Sequence, residues 1–415
     1  MNAQTLLRAL FDRAVDVADP MRAIALHLPP KPAGRVLVIG AGKASARMAE
    51  AVEAVWGPCT GLVITRYGYA RGCQGIEIIE AAHPVPDAAG VAATARMLDL
   101  VQGLGPDDFV LALISGGASA LLCAPRPGIL LAQKQAINAA LLASGAPIGQ
   151  MNILRKLLSL VKGGQLAAAA FPAQVLALMI SDVPGDDPAF IGSGPTVAEA
   201  SSAADALAVA ARWGIALPET ALQALQTTTT IAPTDPRLTT TTNRVIAAPA
   251  QSLMAAQALA QSQGCEVRLL GDALEGEARE VADLQAALAV EIANGMARGA
   301  RPIVLLSGGE LTVTRRGQGI GGPNAEFCLA LAIALQGHPR LHALACDTDG
   351  VDGGAEVAGA IVTPTTLTRS ARGAEQALTD NDAHSFFAAL DDQVITGPTL
   401  TNVNDFRAIL IAPPI

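Results

Sequence analysis

Aromatic residues are scarce in this 415-residue chain: Phe, Tyr and Trp together make up 3%. A core must then be assembled from Ala, Leu, Val and Ile, and the 51% hydrophobic content supplies them. Charge is thin as well. Asp, Glu, Lys and Arg reach 16%, against roughly 25% in an average domain. Intrinsic disorder needs the opposite balance and is excluded. Basic charge is in deficit: 28 Lys and Arg face 37 Asp and Glu, a net charge of −9. A nucleic-acid partner calls for a basic stripe with stacking aromatics, and the sequence has neither. A small anionic substrate is still allowed, because a few local cations decide that. The six cysteines form no C-x-x-C pair, so zinc spacing and a disulfide framework are both absent. They read as reduced, packed thiols. No apolar run reaches the ~20 residues of a membrane helix. The stretch 109–125 is uncharged but is interrupted by Ser115-Gly116-Gly117. Near the start, Arg8, Asp12 and Arg13 stand where a signal core would be apolar. Leu6, Leu7, Leu10, Phe11 and Ala14 mark one face of an amphipathic helix instead. The expectation is a cytoplasmic protein without a membrane partner.

What the chain does have is Gly 40 and Pro 26, spread without a period. They read as tight loops between short elements. Strands and helices alternate through the first half. Expected strands are 35–39, 61–65, 76–80, 109–114 and 175–180, with helices at about 45–56 and 88–102. Continuous apolar strands of this kind fit a parallel sheet covered on both faces. The expected class is α/β, with a doubly wound Rossmann-like parallel sheet. Near residue 227 the composition shifts to TTTTIAPTDPRLTTTT, a linker or edge segment. The domain boundary is placed there, giving 1–235 and 236–415, with α/β alternation resuming in the second part. Strand-Ser-Gly-Gly at 109–117 is echoed at 303–309.

Four loops carry chemistry. In VLVIGAGKAS, 36–45, a strand runs through Gly40-x-Gly42 into a helix, a place where backbone N–H groups approach an anion. It is no Walker A loop, because Leu37 stands where the partner glycine belongs. It is a broken dinucleotide fingerprint too. Ser45 replaces the third glycine, and Thr65-Arg66 stand where a ribose-binding acid would end the next strand. Arg66 keeps NADP open as a ligand. Lys43 faces a phosphate or a carboxylate in this reading. LISGGASAL, 113–121, builds a nest of backbone donors from Ser115, Gly116, Gly117 and Ser119, without the G-x-S-x-G of a hydrolase. ISDVPGDDPAFIGSGPT, 180–196, sets Asp182, Asp186 and Asp187 before Ser193, Gly194 and Thr196. Carboxylates beside an anion-binding turn suit Mg²⁺ with phosphate oxygens. ACDTDGVDGG, 345–354, gathers Asp347, Asp349 and Asp352 but lacks the acid that closes a calcium loop. Weaker pieces are His83 in HPVPD, the basic run of Arg155, Lys156 and Lys162, Glu310 after a strand, and Asn324 in GQGIGGPNAE.

Together, GAGKAS, HPVPD, SGGASALL, VKGGQLA, SDVPGDD…GSGPT, SGGE, DTDGVDG and TNVND resemble the glycerate 2-kinase family, whose C-terminal part is called the MOFRL domain. The resemblance runs over nearly the whole chain. It implies a two-domain α/β kinase with its active site in the interdomain cleft. The reaction it implies is transfer of the γ-phosphoryl of ATP to the 2-hydroxyl of D-glycerate, with Mg²⁺. Under that resemblance Lys43, Asp182 and Asp349 are the candidate catalytic residues. Ser115, Gly116, Gly117, Ser119, Ser193, Gly194, Thr196, Glu310 and Asn324 would hold ATP. Lys43, Arg155 and Lys162 would meet the acid, and Asp182, Asp187 and Asp349 the metal. Two positions depart from the family pattern: Pro323 stands where many relatives have Arg, and Leu157 where many have His. Arg316, Arg155 and Lys162 are candidates to stand in for that arginine. Some family members are labelled hydroxypyruvate reductases, so an NADP-dependent reductase is the rival enzyme. A small-acid sensor without turnover is the rival outside enzymes.

Overall fold

A computed structural model describes residues 2–414. The first sheet takes β1 (Val36–Ala41), β2 (Thr60–Arg66), β3 (Ile76–Ala81), β4 (Phe109–Ile114), β5 (Gln174–Ile180) and β6 (Thr241–Ala247). Their order is β3-β2-β1-β4-β5-β6, and β1 to β5 run parallel. The strand order reverses between β1 and β4. That is the switch point at which open α/β sheets place their ligands, outside the carboxyl ends of the strands. Five of the six residues of β1 are buried, and five of β4, which is why both strands read as unbroken apolar runs. The helix Ser45–Trp56 leaves β1 with Ala46, Met48, Ala49 and Val52 buried.

A helical layer belongs to the same unit. Helices Leu131–Ala143, Ile148–Leu157, Ala203–Arg212 and Glu219–Thr227 share one core through Ile137, Leu154, Leu157, Val209 and Leu225. The Thr-rich segment is no free linker. It passes through a short 3-10 turn, Pro236–Leu238, into β6, which closes the edge of the first sheet. Contacts therefore group Pro20–Asp182 and Asp186–Ile246 as one unit.

The second unit holds Val183–Gly185, everything from Ala247 onward and, less expectedly, the stretch up to Asp19. Its sheet contains β7 (Glu266–Gly271), β9 (Ile303–Gly309), β11 (Leu341–Asp347), β12 (Gly359–Val362), β13 (Gln393–Val394) and β14 (Asp405–Ile411). A separate two-stranded ladder pairs β8 (Gly276–Glu277) with β10 (Leu311–Thr312). The order is β13-β12-β11-β14-β9-β7, antiparallel except for the β7–β9 pair. Side chains alternate between two cores, as strand geometry requires. Leu305, Ala343, Ala345 and Ile409 face helices Ala278–Gly295 and Pro323–Leu335. Val304, Leu306, Leu344 and Phe406 face helices Ala3–Val17 and Pro249–Ser262. The amphipathic stripe expected at the start of the chain finds its partner here, with Phe11 and Phe406 ring centroids 6.0 Å apart. The Ser-Gly-Gly echo is not a structural one. Ser115 follows β4, whereas Ser307-Gly308-Gly309 lies inside β9, paired with Arg407, Phe406 and Asp405. Among the described residues, no helix is long and apolar enough to cross a membrane.

Candidate active site

The loops after β1 and β4 meet at the switch point. Gly40 and Gly42 are required there. A Cβ on Gly40 would stand 2.3 Å from Leu113 O, and one on Gly42 would stand 2.0 Å from Ser115 Oγ. Gly42 also sits at φ +144°, which L side chains rarely adopt. The expected anion cradle at 40–45 does not present its backbone. Gly42 N–H bonds Ile64 O, Lys43 N–H bonds Gly116 O, Ala44 N–H bonds Ser115 Oγ and Ser45 N–H bonds Gly42 O. Ser45, at the third fingerprint position, is buried and spends its hydroxyl on Leu113 O at 3.0 Å, with Ser115 Oγ 3.1 Å away. This loop is a rigid mount, and the side chain it offers is Lys43.

The next loop is the opposite case. Gly116, Gly117 and Ser119 make no N–H hydrogen bond among the described residues, while Ser115 N–H is held by Ala41 O. Gly117 has φ +83°, and a Cβ there would be 3.1 Å from His83 Nε2 and 3.2 Å from Lys43 Cγ. His83, which residue types alone left as a structural loop histidine, therefore lies with Lys43 over this glycine. Ala118 N–H is held by Ser115 O, so the free donors are those of Gly116, Gly117 and Ser119, and with a lysine beside them they suit an oxyanion.

Ser119 extends the cluster. Its Oγ is 2.8 Å from Ser193 Oγ, Ser193 Oγ bonds Asn152 Oδ1 at 3.2 Å, and Lys162 Nζ donates to Ser119 O at 2.8 Å. Ser193 holds φ +63°, an unusual value for a non-glycine residue. The rest of the GSGPT turn is structural. Ser193 O and Gly194 O accept from Gly163 and Gly164, and buried Thr196 bonds Asn243 Oδ1 at 2.6 Å. Lys156 is spent too, in a buried pair with Glu199 at 2.7 Å. Arg155 lines an interhelical cavity with Lys134.

Asp182 follows β5 by two residues, at the carboxyl edge of the sheet. Asp187 is exposed and accepts from Ala189 N–H at 2.9 Å, a turn-forming bond. Asp186 Oδ1 is buried without a hydrogen-bond partner. Among the described residues, no three His, Cys, Asp or Glu side chains come together as a metal site.

In the second unit the acidic motif is built into the frame. Asp352 Oδ1 accepts from Asn324 N–H at 3.0 Å and Oδ2 from Ala325 N–H at 2.8 Å, capping helix Pro323–Leu335. His384 Nε2 lies 3.0 Å from the same carboxylate. Asn324 Nδ2 also reaches Asp405 Oδ1 at 2.7 Å, and Arg407 pairs with Asp405 at 3.0 Å, all of it buried. Burial pushes the Asp405 carboxyl up to about 6, against the pull of Arg407. Asp349 is fully buried and accepts from Val351 N–H at 2.8 Å. Pro323 occupies the first turn of its helix, where a missing N–H costs nothing. Arg316 and Glu310 are exposed.

The sequence matches a family model described as a domain of unknown function, DUF4147, over residues 6–226, and the MOFRL family model over 303–405. A D-glycerate 2-kinase from Thermotoga maritima is 38% identical, with 96% of each chain covered. A putative hydroxypyruvate reductase from Agrobacterium vitis is 49% identical over 99% of this chain and 95% of the relative. The crystal structure of glycerate kinase from Thermotoga maritima superposes with a TM-score of 0.88 at 36% identity, covering 99% of both chains. The chain thus belongs to the glycerate 2-kinase family, with its MOFRL domain in the C-terminal part.

Proposed function

We propose that this protein is an ATP- and Mg²⁺-dependent glycerate 2-kinase that phosphorylates the 2-hydroxyl of D-glycerate. The carrying observation is the juxtaposition of Lys43 with the unpartnered N–H groups of Gly116, Gly117 and Ser119 at the switch point. Phosphoryl transfer asks mainly for positioning and for stabilisation of charge on the transferred oxygens. The backbone N–H groups of Gly116, Gly117 and Ser119 hold phosphate oxygens without reorganising. Lys43, on its rigid mount, neutralises charge at the transferring group or orients the acid. Ser193 and Lys162 fix the Ser119 end of the cradle. Gly194 and Thr196 support that loop from behind.

Mg²⁺ would supply charge neutralisation at the phosphate oxygens, and one or two carboxylates would suffice to hold it. The loop after β5 fits that need, with Asp182 at the sheet edge and the orphaned Asp186 Oδ1 nearby in sequence. Asp187 completes the local acid set. Asp182 is also our choice to accept the proton of the 2-hydroxyl. Asp349, Glu310 and Asn324 are assigned no step, because the bonds found for Asp349 and Asn324 hold the second unit together.

The reductase reading draws on the name of the relatives from Agrobacterium vitis. Against it, Ser45 fills the third fingerprint position, and Arg66 donates to Tyr69 OH at 3.2 Å and lies over its ring. The test is a coupled ADP-release assay with D-glycerate, with and without Mg²⁺ and with L-glycerate as control, followed by ³¹P NMR of the product. Mg²⁺-dependent ADP with 2-phosphoglycerate is expected. NADPH oxidation by hydroxypyruvate without ATP turnover would replace this reading by the reductase.

A further inference from the structure

Ser193 sits where glycine would cost less. It holds φ +63°, between Gly192 and Gly194, both at φ +60°. The turn is pressed close to its neighbours: a Cβ on Gly192 would stand 2.9 Å from Ala118 Cβ, and one on Gly194 would stand 2.8 Å from Ala189 O. What a serine adds at the centre of this turn is a hydroxyl, on a residue only 1% exposed.

That hydroxyl has one proton, and its hydrogen bonds fix where the proton goes. Ser193 Oγ donates to Asn152 Oδ1 at 3.2 Å, and an amide oxygen only accepts. The 2.8 Å contact between Ser119 Oγ and Ser193 Oγ is then made with the proton of Ser119. The direction runs from half-buried Ser119 to buried Ser193 and on to buried Asn152 of helix Ile148–Leu157. The Ser119 backbone is fixed as well, by Lys162 Nζ on its carbonyl at 2.8 Å. Ser119 thus has two different groups to offer a ligand: an N–H that donates and a hydroxyl oxygen that can only accept. A phosphate oxygen suits the first and is repelled by the second. A ligand hydroxyl suits the second.

We propose that Ser119 Oγ accepts a hydrogen bond from the 3-hydroxyl of the acid substrate, and that Asn152 is a positioning residue that acts through Ser193 to keep the Ser119 proton turned away. The inference rests on the kinase reading for its ligand: there the 2-hydroxyl gives its proton to Asp182, so the 3-hydroxyl is the donor left. It makes Ser119 the residue that tells an acid with a second hydroxyl from one without. It also moves the Ser119 hydroxyl from the nucleotide to the acid, and leaves the Ser119 N–H with the phosphate.

The test is calorimetric titration of the full chain, with a non-hydrolysable ATP analogue present. The probes are D-glycerate and D-lactate, which lacks only the 3-hydroxyl. Wild type binds glycerate about tenfold or more tighter, because lactate leaves Ser119 Oγ without its donor. Ser119→Ala keeps the N–H and brings the two acids to within about twofold, by weakening glycerate alone. Asn152→Leu frees Ser193 and Ser119 to reverse their protons, and it narrows the ratio in the same way. Asn152→Asp still accepts from Ser193 and restores the ratio, a rescue that a packing role would not give. Equal binding of the two acids by wild type overturns the inference, as does binding of neither. A folded Ser119→Ala protein that keeps the wild-type ratio overturns it too. Failure of Asn152→Asp to recover what Asn152→Leu loses overturns the role of Asn152. The kinase reading is judged separately. Absence of ADP formation with the expected ratio removes that reading alone, and ADP formation with an unchanged ratio in Ser119→Ala removes this inference alone.

Discussion

The imidazole of His83 rests on Gly117, so closely that a Cβ at 117 would stand 3.1 Å from Nε2. The same Cβ would stand 3.2 Å from Lys43 Cγ, and φ at this position is +83°. Gly117→Ala therefore strains the backbone by about 1–2 kcal/mol and displaces both side chains. The expected outcome is a drop of a few degrees in Tm by calorimetry. A fall in kcat/KM of about tenfold or more is expected beside it. An alanine variant with wild-type kinetics would separate this glycine from the reaction.

Lys43 is the side chain that the 40–45 loop offers, its backbone neighbours being spent on Ile64, Gly116 and Ser115. Lys43→Met keeps those backbone bonds. It is expected to lower kcat about 10²–10³-fold, the cost of removing one pre-organised charge-stabilising group. Steady-state kinetics with D-glycerate and ATP measure this, with circular dichroism to show an unchanged fold. A change confined to KM would move Lys43 from the transferring group to ground-state binding.

Lys156 and Glu199 form a buried pair at 2.7 Å. Burial disfavours the Glu199 carboxylate, but hydrogen bonds from Lys156 and Ser201 outweigh it and hold the carboxyl below its usual range. Glu199→Gln leaves a buried ammonium unpaired and should cost about 3–5 kcal/mol at neutral pH. Because the folded-state value is depressed, this stabilisation is complete above the ordinary value of 4.5. It is lost as pH falls through the folded-state value. Denaturant melts of both proteins should differ fully at pH 7 and converge in acid. A constant gap across that range would contradict the pairing.

Asp352 accepts from two N–H groups at the start of helix Pro323–Leu335. Asp352→Ala removes the cap and leaves the Asn324 and Ala325 donors buried, a loss of about 2 kcal/mol or more. The loss is expected to be the same with Mg²⁺ and with a chelator. A larger loss in the presence of Mg²⁺ would return this aspartate to metal binding.

Much of the first sheet is legible from residue types, because buried parallel strands are continuous apolar runs and Gly40-x-Gly42 marks where one ends. The family, too, is legible in ordered motifs. The hydrogen bonds of the β1 loop are not. Nothing in GAGKAS says that its N–H groups are used by Ser115 and Gly116, since those partners lie far along the chain. The role of Asp352 is hidden for the same reason: an aspartate in a glycine-rich loop looks the same whether it caps a helix or meets a metal. Lys134 carries no signal of its burial in LAQKQAIN, yet it is buried on the face of its helix that holds Ile137 and Leu141. The Thr-rich stretch reads as a linker or an edge segment, and its β-branched end is the edge: it runs into β6.

Helix Ala3–Val17 lies in the core with Phe406 and Leu344, elements made far later in the chain. Synthesis thus delivers Leu6, Leu7, Leu10 and Phe11 long before their cover exists. During that interval four large apolar side chains stay open to chaperones or to other nascent chains. A fragment that stops at Ile246 would keep this exposed stripe, and a fragment that starts at Ala247 would lack one lid of its sheet. Cutting the gene between the two units therefore damages both products. Joining the last residue to the first and opening the chain after Asp19 would make the second unit nearly continuous.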